Sequence, residues 1–216
     1  ASWRWPSPGP TVPTACGEFR REPIAPAPRP NRVLSLNGDG ARVELPPGLL
    51  GSLDESTIEA WVRFRKLKGG QWFFHYGRPD RDCRLGARPD DPPVLELATH
   101  DFQGTPYRTE AAEVLAANEW CHVAATVSAS GTRLYLNGVR VAASPSTRAF
   151  EDRSPDAPAC LGTWLTAGTG FDGELDEVRV WAVARTPAEI EQDMFQRLSG
   201  REPGLVGLWN FDDPEQ

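Results

Sequence analysis

Residues 132–144 read TRLYLNGVRVAAS, and this stretch decides the fold class. Asn137-Gly138 sits between two runs of alternating apolar residues. A type I′ turn needs positive φ at both central positions, which Asn and Gly tolerate best, so the segment predicts a β-hairpin. Working outward, TIEAWVRF (57–64) sets Ile58, Ala60, Val62 and Phe64 against Thr57, Glu59, Trp61 and Arg63. This period of two belongs to a strand with one face in a core. EWCHVAATV (119–127), GQWFFHYG (70–77), PVLELATH (93–100), TPYRTEA (105–111) and FDGELDEVRVWAV (171–183) read as further strands bounded by Gly, Pro and Asp. RVLSL and ARVEL flank an Asn37-Gly38-Asp39-Gly40 turn, where glycine permits positive φ.

One helix interrupts the strands. Thr186 stands at its N-cap, Pro187 at the first helical position and Glu189 at the third, a capping box opening AEIEQDMFQRL (188–198). Ile190, Met194, Phe195 and Leu198 form its apolar stripe, and LVGLWNF (205–211) follows as a closing strand. Many short strands with one helix predict a two-sheet sandwich, not βαβ units. The 20 Gly and 21 Pro suit such a turn-rich fold, and eight Trp with nine Phe supply bulk for its core. Residues 1–30 differ: WRWPSPGPTVP and REPIAPAPRP are proline-dense and read as an arm or linker before a domain at 31–216.

Composition narrows the function classes. A net charge of −7 with scattered arginines opposes nucleic-acid binding, which rests on a basic face. No run approaches the ~20 apolar residues that cross a bilayer, so no membrane insertion is expected. Ala1 is not followed by a leader pattern, so any signal peptide is expected to have been removed or left out. Cys16, Cys83, Cys121 and Cys160 lack CxxC spacing and allow three pairings, between which the sequence does not choose. Two disulfides in a secreted or cell-surface protein is the preferred expectation, and four buried thiols in a cytoplasmic one the alternative.

LSLNGDGARVEL, STIEAWVRF, NEWCHVAATVSASGTRLYLNGVRVAAS and FDGELDEVRVWAVARTPAEIEQ occur in this order. The chain thereby resembles the laminin G-like jelly-roll domains of the concanavalin A-like superfamily over residues 31–212, and pentraxins more distantly. The resemblance implies an all-β, two-sheet antiparallel sandwich with one short helix near its C-terminal side. It also implies a non-catalytic recognition or adhesion module for a glycan or protein ligand, cut from a larger protein. The alternative is an interaction domain packed on neighbouring domains of that protein. Many members hold a structural calcium between an early turn and the last long strand. The matching positions are Asp39 and Asp176, with Asn37 and Asp212 as further ligands, since Ca²⁺ takes six to eight oxygens. Without an ion, Asp39 would serve only its own turn and Asp176 an edge hydrogen bond.

Other chemistry fares worse. Asp80 and Asp82 match one pentraxin calcium loop, but the partner loop at 161–170 has no acid. Glu174, Asp176 and Glu177 imitate a glycosidase strand, yet Val178 stands where the third acid is needed, so no catalytic residue is expected. His75, His100 and His122 lie outside any catalytic motif. Sugar stacking needs accessible rings, and Trp72, Tyr76, Tyr107 and Trp164 near strand ends are the candidates. Trp61, Trp120, Trp181 and Trp209 fall inside strand patterns and read as packing.

Overall fold

The computed structural model describes residues 31–101, 103–147, 152–162 and 170–212. The proline-dense arm, Cys16 and Trp164 lie outside them. Within them the chain forms β1 (Leu34–Asn37), β2 (Val43–Leu45), β3 (Ser56–Phe64), β4 (Gln71–Tyr76), β5 (Cys83–Arg88), β6 (Val94–His100), β7 (Pro106–Ala112) and β8 (Trp120–Ser128). There follow β9 (Gly131–Leu136), β10 (Val139–Ser144), β11 (Ala159–Leu161), β12 (Asp172–Trp181), α1 (Pro187–Asp193) and β13 (Leu205–Trp209). They build two antiparallel sheets. A seven-stranded sheet runs β1-β12-β3-β8-β9-β10 with β13 also on β12, and a six-stranded sheet runs β2-β11-β4-β5-β6-β7.

Alternation sets which face is buried. Ile58, Ala60, Val62 and Phe64 on β3 meet Phe73, Phe74, Leu85, Leu95 and Leu97 of the other sheet in one continuous core. Phe64, Phe73 and Phe171 lock it through edge-on contacts with centroids 5.6 to 6.3 Å apart. The expected hairpin is present. Asn137 and Gly138 take φ of 50° and 81°, and Asn137 closes on His122 through both its backbone N–H and its side-chain oxygen, each at 2.8 Å. The Asn37–Gly40 turn, by contrast, carries the chain from one sheet to the other, since β1 pairs with β12 and β2 with β11.

The capping box forms as read: the Glu189 N–H donates to the Thr186 hydroxyl, and the Glu189 carboxylate accepts from the Thr186 N–H. The helix covers the outer face of the seven-stranded sheet, where Ile190 meets Ala124 and Tyr135. Trp61 and Trp181 are buried on that same face, outside the core between the sheets. Trp61 donates to the Met194 carbonyl at 2.7 Å, and Trp181 donates to Glu59 at 2.9 Å. Glu59, His122 and Arg179 are all sealed beneath this layer. Burial, followed by the nearby Arg179 and Arg185 guanidiniums, pushes His122 down to about 3.

The expectation of two disulfides is corrected. Cys83, Cys121 and Cys160 are thiols, so the described residues contain no disulfide. Cys83 points into the core from β5, while Cys121 stands on the opposite sheet and donates to the Val62 carbonyl at 3.6 Å.

Candidate functional site

The four proposed calcium ligands fall at two places. Asn37 and Asp39 bond each other across their turn, side chain to side chain at 2.9 Å and Asp39 N–H to Asn37 Oδ1 at 3.1 Å. Asn37 lies opposite Asp172, and Asp176 stands four residues further along β12. At about 3.3 Å per residue that is ~13 Å away, too far to share an ion. Asp176 and Asp212 belong to another cluster. Asn31 donates to Asp176 at 2.9 Å, and Asp212 accepts from the Arg32 N–H at 3.0 Å. Arg197 meets Asp212 at 2.5 Å, and Arg179 meets Glu177 at 2.9 Å. Burial pushes the Asp176 carboxyl up to about 7. The expected set therefore does not fit one calcium site, and guanidiniums already oppose the carboxylates that do meet. Among the described residues no cluster of three or more His, Cys, Asp or Glu is arranged to hold a metal.

The aromatic candidates also separate. Tyr76 is fully buried in the core, its hydroxyl donating to the Asp152 carbonyl at 2.9 Å and pushed up to about 12 by burial. Tyr107 lies opposite Thr99, in register with the core-facing Cys83, and donates to Asp101 at 3.1 Å. Neither presents a ring to the outer face of the six-stranded sheet. Trp72 does. A bulge between Trp72 and Phe74 breaks the alternation of β4, so both Phe73 and Phe74 enter the core while Trp72 pairs with outward Gly86.

That outer face carries a constellation that strand alternation alone did not single out. One row crosses all six strands: Glu44, Cys160, His75, Arg84, Ala98 and Arg108 are successive partners. A second row holds Trp72, Gly86, Glu96 and Glu110. Gly86 and Ala98 keep the middle of the surface low, and larger polar groups rise around them. Arg84 lies over the Trp72 ring, 4.6 Å from its centroid. Glu96 faces Arg88 at 2.5 Å and Arg108 at 3.4 Å, and Arg88 also holds Glu110 at 2.8 Å. At the end of the surface the Asp82 carboxylate lies 2.8 Å from Nδ1 of His100 and 3.5 Å from Nε2 of His75.

Burial shapes the electrostatics here. It raises the Glu96 carboxyl and lowers the Arg84 guanidinium, each against the pull of its neighbours. Such planar donors and acceptors can hydrogen-bond neighbouring hydroxyls, with the buried indole and its stacked guanidinium as the apolar floor beside them. No nucleophile–base–acid set accompanies them on β12. Glu174 is held by Arg63 at 2.7 Å and Arg65 at 3.0 Å, and Glu177 sits in a bulge at φ 48° with Arg179.

Fold and surface together define a jelly-roll sandwich with a polar, tryptophan-bearing sheet face. The chain belongs to the laminin G-type family of the concanavalin A-like lectin/glucanases superfamily, whose model matches residues 37–191. It is 27% identical over 204 residues to pappalysin-1 of Mus musculus, covering 85% of this chain but 12% of that protein. Among solved structures it is similar to domain 4 of AbnA, an extracellular arabinanase of Geobacillus stearothermophilus seen with arabinotriose (TM-score 0.62, 22% identity, 74% of this chain and 75% of that one). It is also similar to the CBM40 of a Ruminococcus gnavus IT-sialidase bound to α2,3-sialyllactose (0.64, 15%, 74% and 95%) and to a Limulus polyphemus pentraxin (0.52, 15%, 69% and 72%). At these identities the structural likeness establishes the shared fold.

Proposed function

We propose that this chain is a non-catalytic carbohydrate-recognition module that binds glycan on the outer face of the six-stranded sheet. The observation that carries the reading is the pairing of Trp72 with Arg84 beside the Glu96, Arg88 and Arg108 cluster over a floor of Gly86 and Ala98. The arabinotriose and sialyllactose complexes of similar folds support a sugar ligand, and the extracellular arabinanase supports a secreted or cell-surface setting. Because the chain spans only 12% of pappalysin-1, a place within a longer protein is part of the proposal. The calcium expected from the resemblance has no role in it.

A second reading, docking of protein on the same face, has one observation in its favour: His75, Glu96 and Cys160 are only 0–3% exposed, which leaves a sugar little polar surface to reach in the middle of the sheet. Glycan-array screening of the whole chain separates the readings. The glycan reading predicts a defined class of bound sugars; no binding overturns it.

A further inference from the structure

We propose that a cavity on the outer face of the seven-stranded sheet binds a tetrahedral oxyanion, a sulfate or phosphate group, through Thr126, Arg133 and Tyr135. The site lies on the sheet opposite Trp72, and the inference does not depend on the glycan reading. It begins with faces. Ile58, Ala125 and Leu134 face the core, so the rows on either side of them face outward. Thr57, Thr126 and Arg133 make one such row, and Glu59, Ala124 and Tyr135 the other. The chain between β12 and α1 returns over these rows. Thr57 pins it there, donating to the Val183 carbonyl and accepting from the Arg185 N–H, each at 2.8 Å. Residues 184–187 thus wall in the outward side chains and leave a cavity of about 290 Å³. That volume falls at the low end of small-ligand sites, which begin near ~300 Å³.

Two buried hydroxyls in this cavity call for a ligand. Thr126 and Tyr135 are each 1% exposed, and both line the cavity. Neither hydroxyl has a hydrogen-bond partner among the described residues. Folded chains rarely leave such groups unsatisfied, because a buried donor without a partner is destabilising. Arg133 supplies the charge. Its guanidinium donates to Ser130 Oγ at 3.1 Å and meets no carboxylate among the described residues. Arg185 is different, since Glu59 at 3.4 Å and Asp193 already balance it while it lies over the Trp181 ring.

These donors define the ligand class. A hydroxyl rotates to donate where an acceptor stands, and a guanidinium makes charge-assisted bonds to the oxygens of an anion. Ser128 and Ser130 extend the hydroxyl lining, their Oγ atoms 2.8 Å apart. Calcium does not fit, because exposed Glu55 is the one carboxylate lining the cavity and Ca²⁺ takes six to eight oxygens. An apolar ligand would leave both buried hydroxyls unpaired. A neutral sugar would satisfy them but leave Arg133 without a counter-charge. A sulfate or phosphate group meets both requirements.

The test is amide NMR of the whole chain titrated with sodium sulfate, with sodium chloride holding the ionic strength constant. Saturable shifts are expected at Thr126, Ser130 and Arg185, and none in chloride alone. Arg133→Gln should weaken sulfate binding at least tenfold, and Tyr135→Phe and Thr126→Val each about threefold, the loss of one hydrogen bond. Tyr135→Phe and Thr126→Val remove hydroxyls that lack a partner in the described fold, so both variants should melt no lower than wild type. Glucose 6-sulfate binding more tightly than sulfate assigns the group to a sugar ester, and otherwise the free ion is the ligand. Shifts that do not saturate, unchanged affinity in Arg133→Gln and Tyr135→Phe, or glucose binding as well as glucose 6-sulfate overturns the proposal. The wild-type titration decides the matter even if a variant fails to fold. Trp72→Phe should leave sulfate binding intact, so loss of sugar binding at Trp72 would defeat the glycan reading alone.

Discussion

Arg84 stacks on Trp72 across the β4–β5 pair, and it can do so because Gly86, the direct partner of Trp72, has no side chain. The bulge in β4 presses its backbone against this glycine. A Cβ on Gly86 would lie 2.7 Å from the Trp72 Cα and closer still to the Gln71 carbonyl oxygen. The ring, the cation above it and the bare backbone beside it form one unit, whose orientation depends on a single residue type.

Gly86→Ala is therefore expected to destabilise the chain by about 2–3 kcal/mol, because the neighbouring atoms are backbone and cannot swing aside. Denaturant unfolding checks this. A midpoint within error of the wild type would show that the bulge is not held by close approach at Gly86.

Two buried groups should give opposite pH slopes. Asp176, raised from 3.8 to about 7, keeps its proton in the fold after the unfolded chain has lost it, so its contribution to stability declines as pH rises between those values. His122, lowered from 6.5 to about 3, stays neutral in the fold while the unfolded chain takes up a proton, so its contribution declines as pH falls through that range. Relative to wild type, Asp176→Asn should gain stability as pH rises from 4 to 7, by about 1–2 kcal/mol after screening. His122→Gln should gain as pH falls from 6.5. Melting midpoints across this range test both signs, and parallel curves for wild type and variants would contradict them.

Chelation should change little. Arg197 and Arg179 already face Asp212 and Glu177, and Asn37 and Asp39 are spent on each other. EGTA is expected to shift the melting midpoint by less than about 1 °C, far below what loss of a tightly bound ion produces. A drop of several degrees, restored by calcium, would contradict this and show that the chain binds an ion.

Local signals were legible in the sequence because their physics is local. Asn137-Gly138 needs positive φ, and the Thr186–Glu189 box closes within one turn of chain. The site was less legible because it is made by register between distant segments. Trp72 and Tyr76 look like residues of one strand face, yet the bulge sends one outward and the other into the core. Glu44, Cys160 and Arg108 join one row only through five strand pairings that no short window contains. The Asp39–Asp176 pair failed for the same reason: β1 runs antiparallel to β12 and carries the turn away from Asp176.

The central claim is that sugar binds where Trp72 and Arg84 meet. Titration calorimetry should be run with the strongest glycan from the array, on wild type, Trp72→Phe and Arg108→Ala. Trp72→Phe shortens the aromatic platform and Arg108→Ala removes a guanidinium beside Glu96 at a partly exposed position, so each chain should still fold. The account predicts at least tenfold weaker binding for each variant, about 1.4 kcal/mol, with the melting midpoint of Arg108→Ala near wild type. Unchanged affinity in both variants would contradict it and move the binding surface elsewhere on the sandwich.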